Sequence, residues 1–165
     1  MIAVSNTTPL RYLIAIEEDR LLGLIFETVL VPVAVRAELM DAKTPENVRR
    51  WITSPPPWVE FRTVPESRDV LPVRLHAGER ESILLAEAVR ADVLLIDELA
   101  GRTIAMDRKL SVSGTLGLLE RADTVGLLKD FEGTIKKLRE SGFFIGGALQ
   151  ELLMERHRWR HTQKL

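Results

Sequence analysis

The sequence predicts an α/β fold: a three-layer α/β/α domain with a central parallel sheet and a helical carboxyl-terminal cap. Three observations predict it. Short apolar segments alternate with helical ones for most of the chain, the pattern of a parallel sheet with helical crossovers. Val93 to Ile96 is apolar at every position, as a strand buried on both faces requires. Beyond Gly114 the signals are helical only. The 165 residues suit a single core, and no composition shift marks a second domain. One domain over 1–165 is therefore expected, with 127–165 as a helical extension and 156–165 as its basic tail.

Each element follows from local chemistry. Ile2 to Ser5 reads as a short buried strand. Thr8 then Pro9 reads as a helix start, a hydroxyl cap before a proline at the first helical position, running through Ile16. Arg20 to Ile25 is a short helix and Thr28 to Val31 a strand. Pro32 opens a helix over Val33 to Met40. Glu46 to Ile52 is helical until Pro55-Pro56-Pro57 removes backbone donors and helical freedom. Trp58 to Val64 is a strand, and Pro65 to Leu75 an exposed loop. Gly78 to Ala91 is an amphipathic helix, followed by the Val93 to Ile96 strand. Glu98 to Arg108 is a helix and Leu110 to Val112 the last strand. Helices from Gly114 to about Val125, Phe131 to Glu140 and Gly147 to Arg160 complete the chain, separated by Gly142 and Gly146-Gly147. Val4, Val31, Leu94, Leu95 and Ile96 belong in the core; Leu118, Leu119, Leu149, Leu152 and Leu153 bury helix faces, or some of them face a second subunit or an antitoxin.

Composition narrows the function classes. Hydrophobic residues make up 45% and charged residues 28%, a globular profile. A formal net charge of −1 gives no global pull on a polyanion, though a local basic patch is enough for one. The absence of cysteine excludes disulfides and thiolate metal sites and agrees with a cytoplasmic setting. The amino terminus lacks a signal-peptide pattern, and no apolar run approaches the ~20 residues of a membrane span.

Ligands of open parallel sheets bind beyond the carboxyl ends of the strands. Asn6 follows the first strand and Asp97 the Val93 to Ile96 strand. Each, alone, is equally well a turn or cap residue. Glu79 lies in the first turn of its helix, on the stripe of Ile83, Ala86 and Arg90, where the dipole favours an anion by ~0.3–1 kcal/mol. Glu81 is an auxiliary on the neighbouring stripe. Glu38 interrupts a mostly apolar helix, or faces solvent beside Arg36. Carboxylates gathered in one cleft raise one another's pKa, and a divalent cation removes that penalty. Hard oxygen donors suit Mg²⁺ or Mn²⁺, which activate water and stabilise an in-line phosphodiester displacement. Asn6 keeps an oxygen donor and removes one charge.

These residues resemble those of the PIN-domain family of VapC-type toxin ribonucleases, and within it a prokaryotic branch long filed as a domain of unknown function. The likeness is carried by Val4-Ser5-Asn6-Thr7-Thr8-Pro9-Leu10, Val31-Pro32 with Val35 and Glu38-Leu39, and Leu75-His76-Ala77-Gly78-Glu79-Arg80-Glu81-Ser82-Ile83. Leu94-Leu95-Ile96-Asp97-Glu98, Ala100-Gly101-Arg102 and Ser113-Gly114-Thr115-Leu116-Gly117 complete it. The resemblance implies that the family's four acids fall on Asn6, Glu38, Glu79 and Asp97, with its hydroxyl on Thr7. It implies Mg²⁺ or Mn²⁺ as cofactor and RNA as substrate. It also implies an antitoxin partner and a homodimer. Asn6 departs from the pattern at the first acid. The rival readings are a silent PIN module binding RNA or a protein, and a Rossmann-like binder, which the missing glycine fingerprint disfavours.

Arg102, Arg158 and Arg160 are the candidate RNA-positioning residues, with Trp159 able to stack on a base. A solvated helix end accounts for the basic tail as well. His76 reads as a helix-contacting loop residue. His157 and His161 have a metal-ligand spacing with no third ligand in sight.

Overall fold

The computed structural model describes residues 1–67, 70–72 and 74–163. Arg68, Asp69 and Val73 of the predicted loop, and Lys164 and Leu165 of the predicted tail, lie outside them.

The chain divides into two compact units, Met1–Thr115 and Leu116–Leu165. The first carries β1 (Ile2–Ser5), α1 (Thr7–Ala15), α2 (Arg20–Ile25), β2 (Thr28–Pro32), α3 (Val33–Leu39), α4 (Glu46–Thr53) and β3 (Val59–Arg62). It continues with α5 (Ala77–Val89), β4 (Val93–Leu95), α6 (Leu99–Asp107) and β5 (Val112–Ser113). Then α7 (Thr115–Thr124) leads into the second unit, with α8 (Phe131–Glu140) and α9 (Gly147–Thr162).

The five strands form one sheet in the order β3-β2-β1-β4-β5, parallel throughout, with Val4 opposite Leu30 on one side and Leu94 on the other. The chain moves outward from β1 to β2 to β3, then returns to β4 and β5 on the far side. The right-handed crossovers of such an order put helices on both faces of the sheet, giving the three predicted layers: α5 packs on β1, β2, β4 and α6, α1 packs on α4, and α3 touches both α1 and α5. The order reverses between β1 and β4, so the crevice beyond their carboxyl ends is the ligand position of such a sheet.

Burial explains why these segments hold their places. Ala3, Val4, Val29, Val31, Leu95 and Ile96 have no solvent exposure. On one side Val4 and Leu94 pack with Ile83, Leu85 and Ala86 of α5 and with Ile104 and Ala105 of α6. Removing a side chain such as Ile83 costs about 2–5 kcal/mol.

Several boundaries differ from the sequence reading. Helix α1 begins at Thr7 with Asn6 at its N-cap, placing Pro9 third. All first-turn N–H groups lack intrahelical acceptors, so proline is tolerated at each of these positions. The Thr8 hydroxyl is not a cap and donates instead to Glu98. Pro32 closes β2 and sits at the N-cap of α3 in an extended conformation. Helix α5 stops before Ala91 because Arg90 takes a left-handed conformation (φ 51°), and the Ala91 N–H closes onto Ala86 O at 2.9 Å. Lys109 does the same after α6 (φ 65°), delaying β5 to Val112. The segment after β3 is not wholly exposed: Leu71 and Leu75 are buried in the α5–α6 core. Leu149 and Leu152, expected to bury a helix face, are 42% and 40% exposed, whereas Leu118, Leu119 and Leu153 are buried. Among the described residues no helix is long and apolar enough to cross a membrane.

Candidate functional site

The β1–α1 and β4–α6 turns lie side by side at the carboxyl edge. The Asn6 backbone N–H donates to Leu95 O at 2.9 Å, which extends the β1–β4 pairing one residue past the strands. That register brings Asn6 beside the Asp97-Glu98 pair. The Asn6 side chain is 2% exposed, and its Nδ2 donates to Glu98 Oε2 at 3.1 Å. Its Oδ1 is buried and has no hydrogen-bond partner. A buried acceptor left unpaired costs about 1–3 kcal/mol, so the site keeps an oxygen donor in reserve.

Glu38 arrives from the last turn of α3. It accepts from the Thr7 hydroxyl through Oε2 and from the Gly78 N–H through Oε1 at 2.9 Å. A Cβ on Gly78 would lie 2.7 Å from both of its oxygens, so only glycine admits this carboxylate against the start of α5. Glu79 follows, 5% exposed. Its Oε2 accepts from the His76 N–H at 3.0 Å, which caps the helix from within. Its Oε1 lies 3.0 Å from where a Cβ on Gly101 would stand, which brings it to the first turn of α6, just after Asp97 and Glu98.

Asp97 completes the edge. Its Oδ1 accepts from the Thr115 N–H at 2.8 Å and its Oδ2 from the Thr115 hydroxyl at 2.6 Å. A Cβ on Gly114 would fall 2.6 Å from Asp97 Oδ1. Burial raises the Asp97 pKa above its ordinary 3.8; the Thr115 hydrogen bonds oppose this, the Glu98 charge adds to it and Arg102 opposes it. Arg102 Nη1 donates to Ile96 O at 3.1 Å, which holds the guanidinium beside this turn.

Thus Asn6, Thr7, Glu38, Glu79 and Asp97 occupy one rim, and three of the acids press against glycines that leave no room for a side chain. The rim's acids and hydroxyls offer oxygen atoms, the Asn6 Oδ1 among them is orphaned, and burial raises the pKa of the Asp97 carboxyl. Oxygen donors are what a hard divalent cation such as Mg²⁺ or Mn²⁺ takes, but among the described residues no three of these acids place ligand atoms within 4.8 Å of one another.

Glu98 and Thr115 were given no site role by sequence reasoning, and Thr8 was read only as a helix cap. Glu98 joins the two turns by accepting from both Asn6 and Thr8. The consecutive acids after an apolar strand were the available signal. Glu81 faces elsewhere: its Oε2 accepts from the Ala34 N–H in the first turn of α3 at 3.0 Å.

The second unit carries the other basic candidates. Arg158 is exposed and lines an open groove between α8 and α9 with Lys136 and Arg139. Arg160 is engaged, with Nε 2.8 Å from Asp123 Oδ2 and Nη1 3.2 Å from Glu120 Oε1. Trp159 is 64% exposed.

A family model described as PIN domain matches residues 2–158. No match was found among the curated proteins. PIN domains are generally nucleases, and their fold is the parallel sheet described above. With almost its whole length matched, this chain belongs to the PIN-domain family.

Proposed function

We propose that the chain is a Mg²⁺- or Mn²⁺-dependent endoribonuclease of the VapC-like class. Glu38, Glu79, Asp97 and the Asn6 amide oxygen would hold the cation. When bound, the metal activates water and stabilises charge on the phosphate during in-line hydrolysis. The observation that carries this reading is the buried, partnerless Asn6 Oδ1, at the same sheet edge as Asp97, a carboxyl whose pKa burial has raised. A cation offsets both penalties together.

The chain's own residues do the positioning. Thr7 and the Gly78 N–H fix the Glu38 carboxylate. Thr115 orients Asp97, and Glu98 orients Asn6 so that its oxygen, not its NH₂, is free. Arg102 brings positive charge to the rim, and Arg158 offers a phosphate contact. A cognate antitoxin and a homodimer belong to the same reading; exposed Leu149 and Leu152 on α9 supply apolar surface for either.

A second reading is a silent PIN module that binds RNA or a protein. It is favoured by the amide at position 6, which lowers the negative charge available to a cation. Calorimetric titration with Mn²⁺ tests the first reading. Binding in the wild type that Asp97→Asn removes supports it; no binding, with RNA still bound in EDTA, supports the second.

A further inference from the structure

Apart from the sheet edge, the second unit brings two histidines and an acid together. Among the described residues, Asp123, His157 and His161 place ligand atoms within 4.8 Å of one another. His157 and His161 lie one turn apart on α9, so both rings leave the same face. Asp123 comes from α7 and is almost fully buried. His157 Nδ1 lies 2.9 Å from Asp123 Oδ2, and His161 Nε2 lies 3.1 Å from Oδ1. The His157 ring stacks on Phe131 at 5.0 Å between centroids, which restricts its rotation. His161 meets His157 edge-on at 4.4 Å and is half exposed, leaving a path for a small ion.

We propose that Asp123, His157 and His161 form a Zn²⁺-class metal site, separate in ligands and chemistry from the oxygen-lined rim. Two imidazoles and a carboxylate are the three-ligand set of open zinc sites, with a fourth position for water. Mg²⁺ is disfavoured because it demands oxygen donors and octahedral geometry. The two ring nitrogens face the carboxylate as hydrogen-bond partners. A cation takes their lone pairs, and each ring proton resides on the other nitrogen. Arg160 is the competing cation, with Nε 2.8 Å and Nη2 2.7 Å from Asp123 Oδ2. Its Nη1 already reaches Glu120, so it can release Asp123 and stay paired. Bound metal would tie α9 to α7.

The test is titration of the metal-stripped full chain with Zn²⁺, and with Co²⁺ as an absorbing probe. Asp97→Asn serves as the background, since it weakens the oxygen site. The proposal expects a Zn²⁺ site that persists in Asp97→Asn, weakens at least about tenfold in His161→Ala, and gives a tetrahedral Co²⁺ spectrum. Should His161→Ala fail to fold, His161→Cys replaces it and must give a thiolate-to-cobalt band. No Zn²⁺ binding in Asp97→Asn would overturn the proposal. So would a Co²⁺ spectrum unaffected by His161→Ala, or the absence of a thiolate band in His161→Cys.

Discussion

Asn6 gives its amide hydrogen to Glu98, at 3.1 Å across the β1–β4 junction, and leaves its own oxygen buried without a partner. The two residues are 92 positions apart, yet together they decide which end of the amide faces the rim. A carboxylate at position 6 would instead confront Glu98 as a like charge.

Asn6→Asp should therefore respond in opposite directions with and without metal. In EDTA the variant should melt below wild type, because two carboxylates meet in a buried turn. With Mn²⁺ it should bind metal more tightly than wild type and show a larger rise in Tm. Thermal melts in both conditions check this; unchanged metal affinity would remove Asn6 from the ligand set.

Gly78→Ala should displace Glu38, since the added Cβ would lie 2.7 Å from both carboxylate oxygens. Overpacking of this kind costs about 1–3 kcal/mol, and Mn²⁺ affinity should fall with it. Adding Glu38→Ala to that variant relieves the clash. Denaturant unfolding should then show stability recovered, while metal binding is not.

Asp97→Asn should cost metal binding but not stability at neutral pH. Burial raises the Asp97 pKa in the fold, so the native state binds its proton more strongly than the unfolded chain does. That contribution destabilises the fold as pH rises through 3.8, the ordinary value, and is complete above the folded-state pKa. Removing the ionisable group abolishes this slope. In EDTA, wild-type stability relative to the variant should fall across that window, read from urea midpoints at several pH values.

Arg158→Ala and Arg160→Ala should separate. Arg158 is exposed, so its loss should weaken RNA binding and lower the salt dependence while leaving Tm nearly unchanged. Arg160 pairs with a buried carboxylate, so its loss should cost about 1–3 kcal/mol. Filter binding at two salt concentrations with parallel melts distinguishes them.

The strand–helix alternation was legible because apolar periodicity is local: β1, α2 and α8 have the predicted bounds. The positions of Asn6 and Asp97 just past β1 and β4 were legible from the strand pattern; Glu38 and Glu79 were proposed as ligands through spacing and family likeness, and Gly78, Gly101 and Gly114 stood in the same segments. Glu98 was not, because its role depends on β1 lying beside β4. Asp123 escaped for the same reason, since α8 separates it in sequence from His157 and His161. Leu71 and Leu75 were hidden among prolines and charges, where burial comes from the core of α5 and α6 rather than from any local period.

RNA cleavage by the purified, partner-free protein, with Mn²⁺, Mg²⁺ or EDTA and beside Asp97→Asn, tests the central claim most directly. The account predicts cleavage with Mn²⁺ or Mg²⁺, none in EDTA and none in the variant. Equal cleavage by wild type and Asp97→Asn, or cleavage that survives EDTA, would contradict a metal-dependent reaction at this rim.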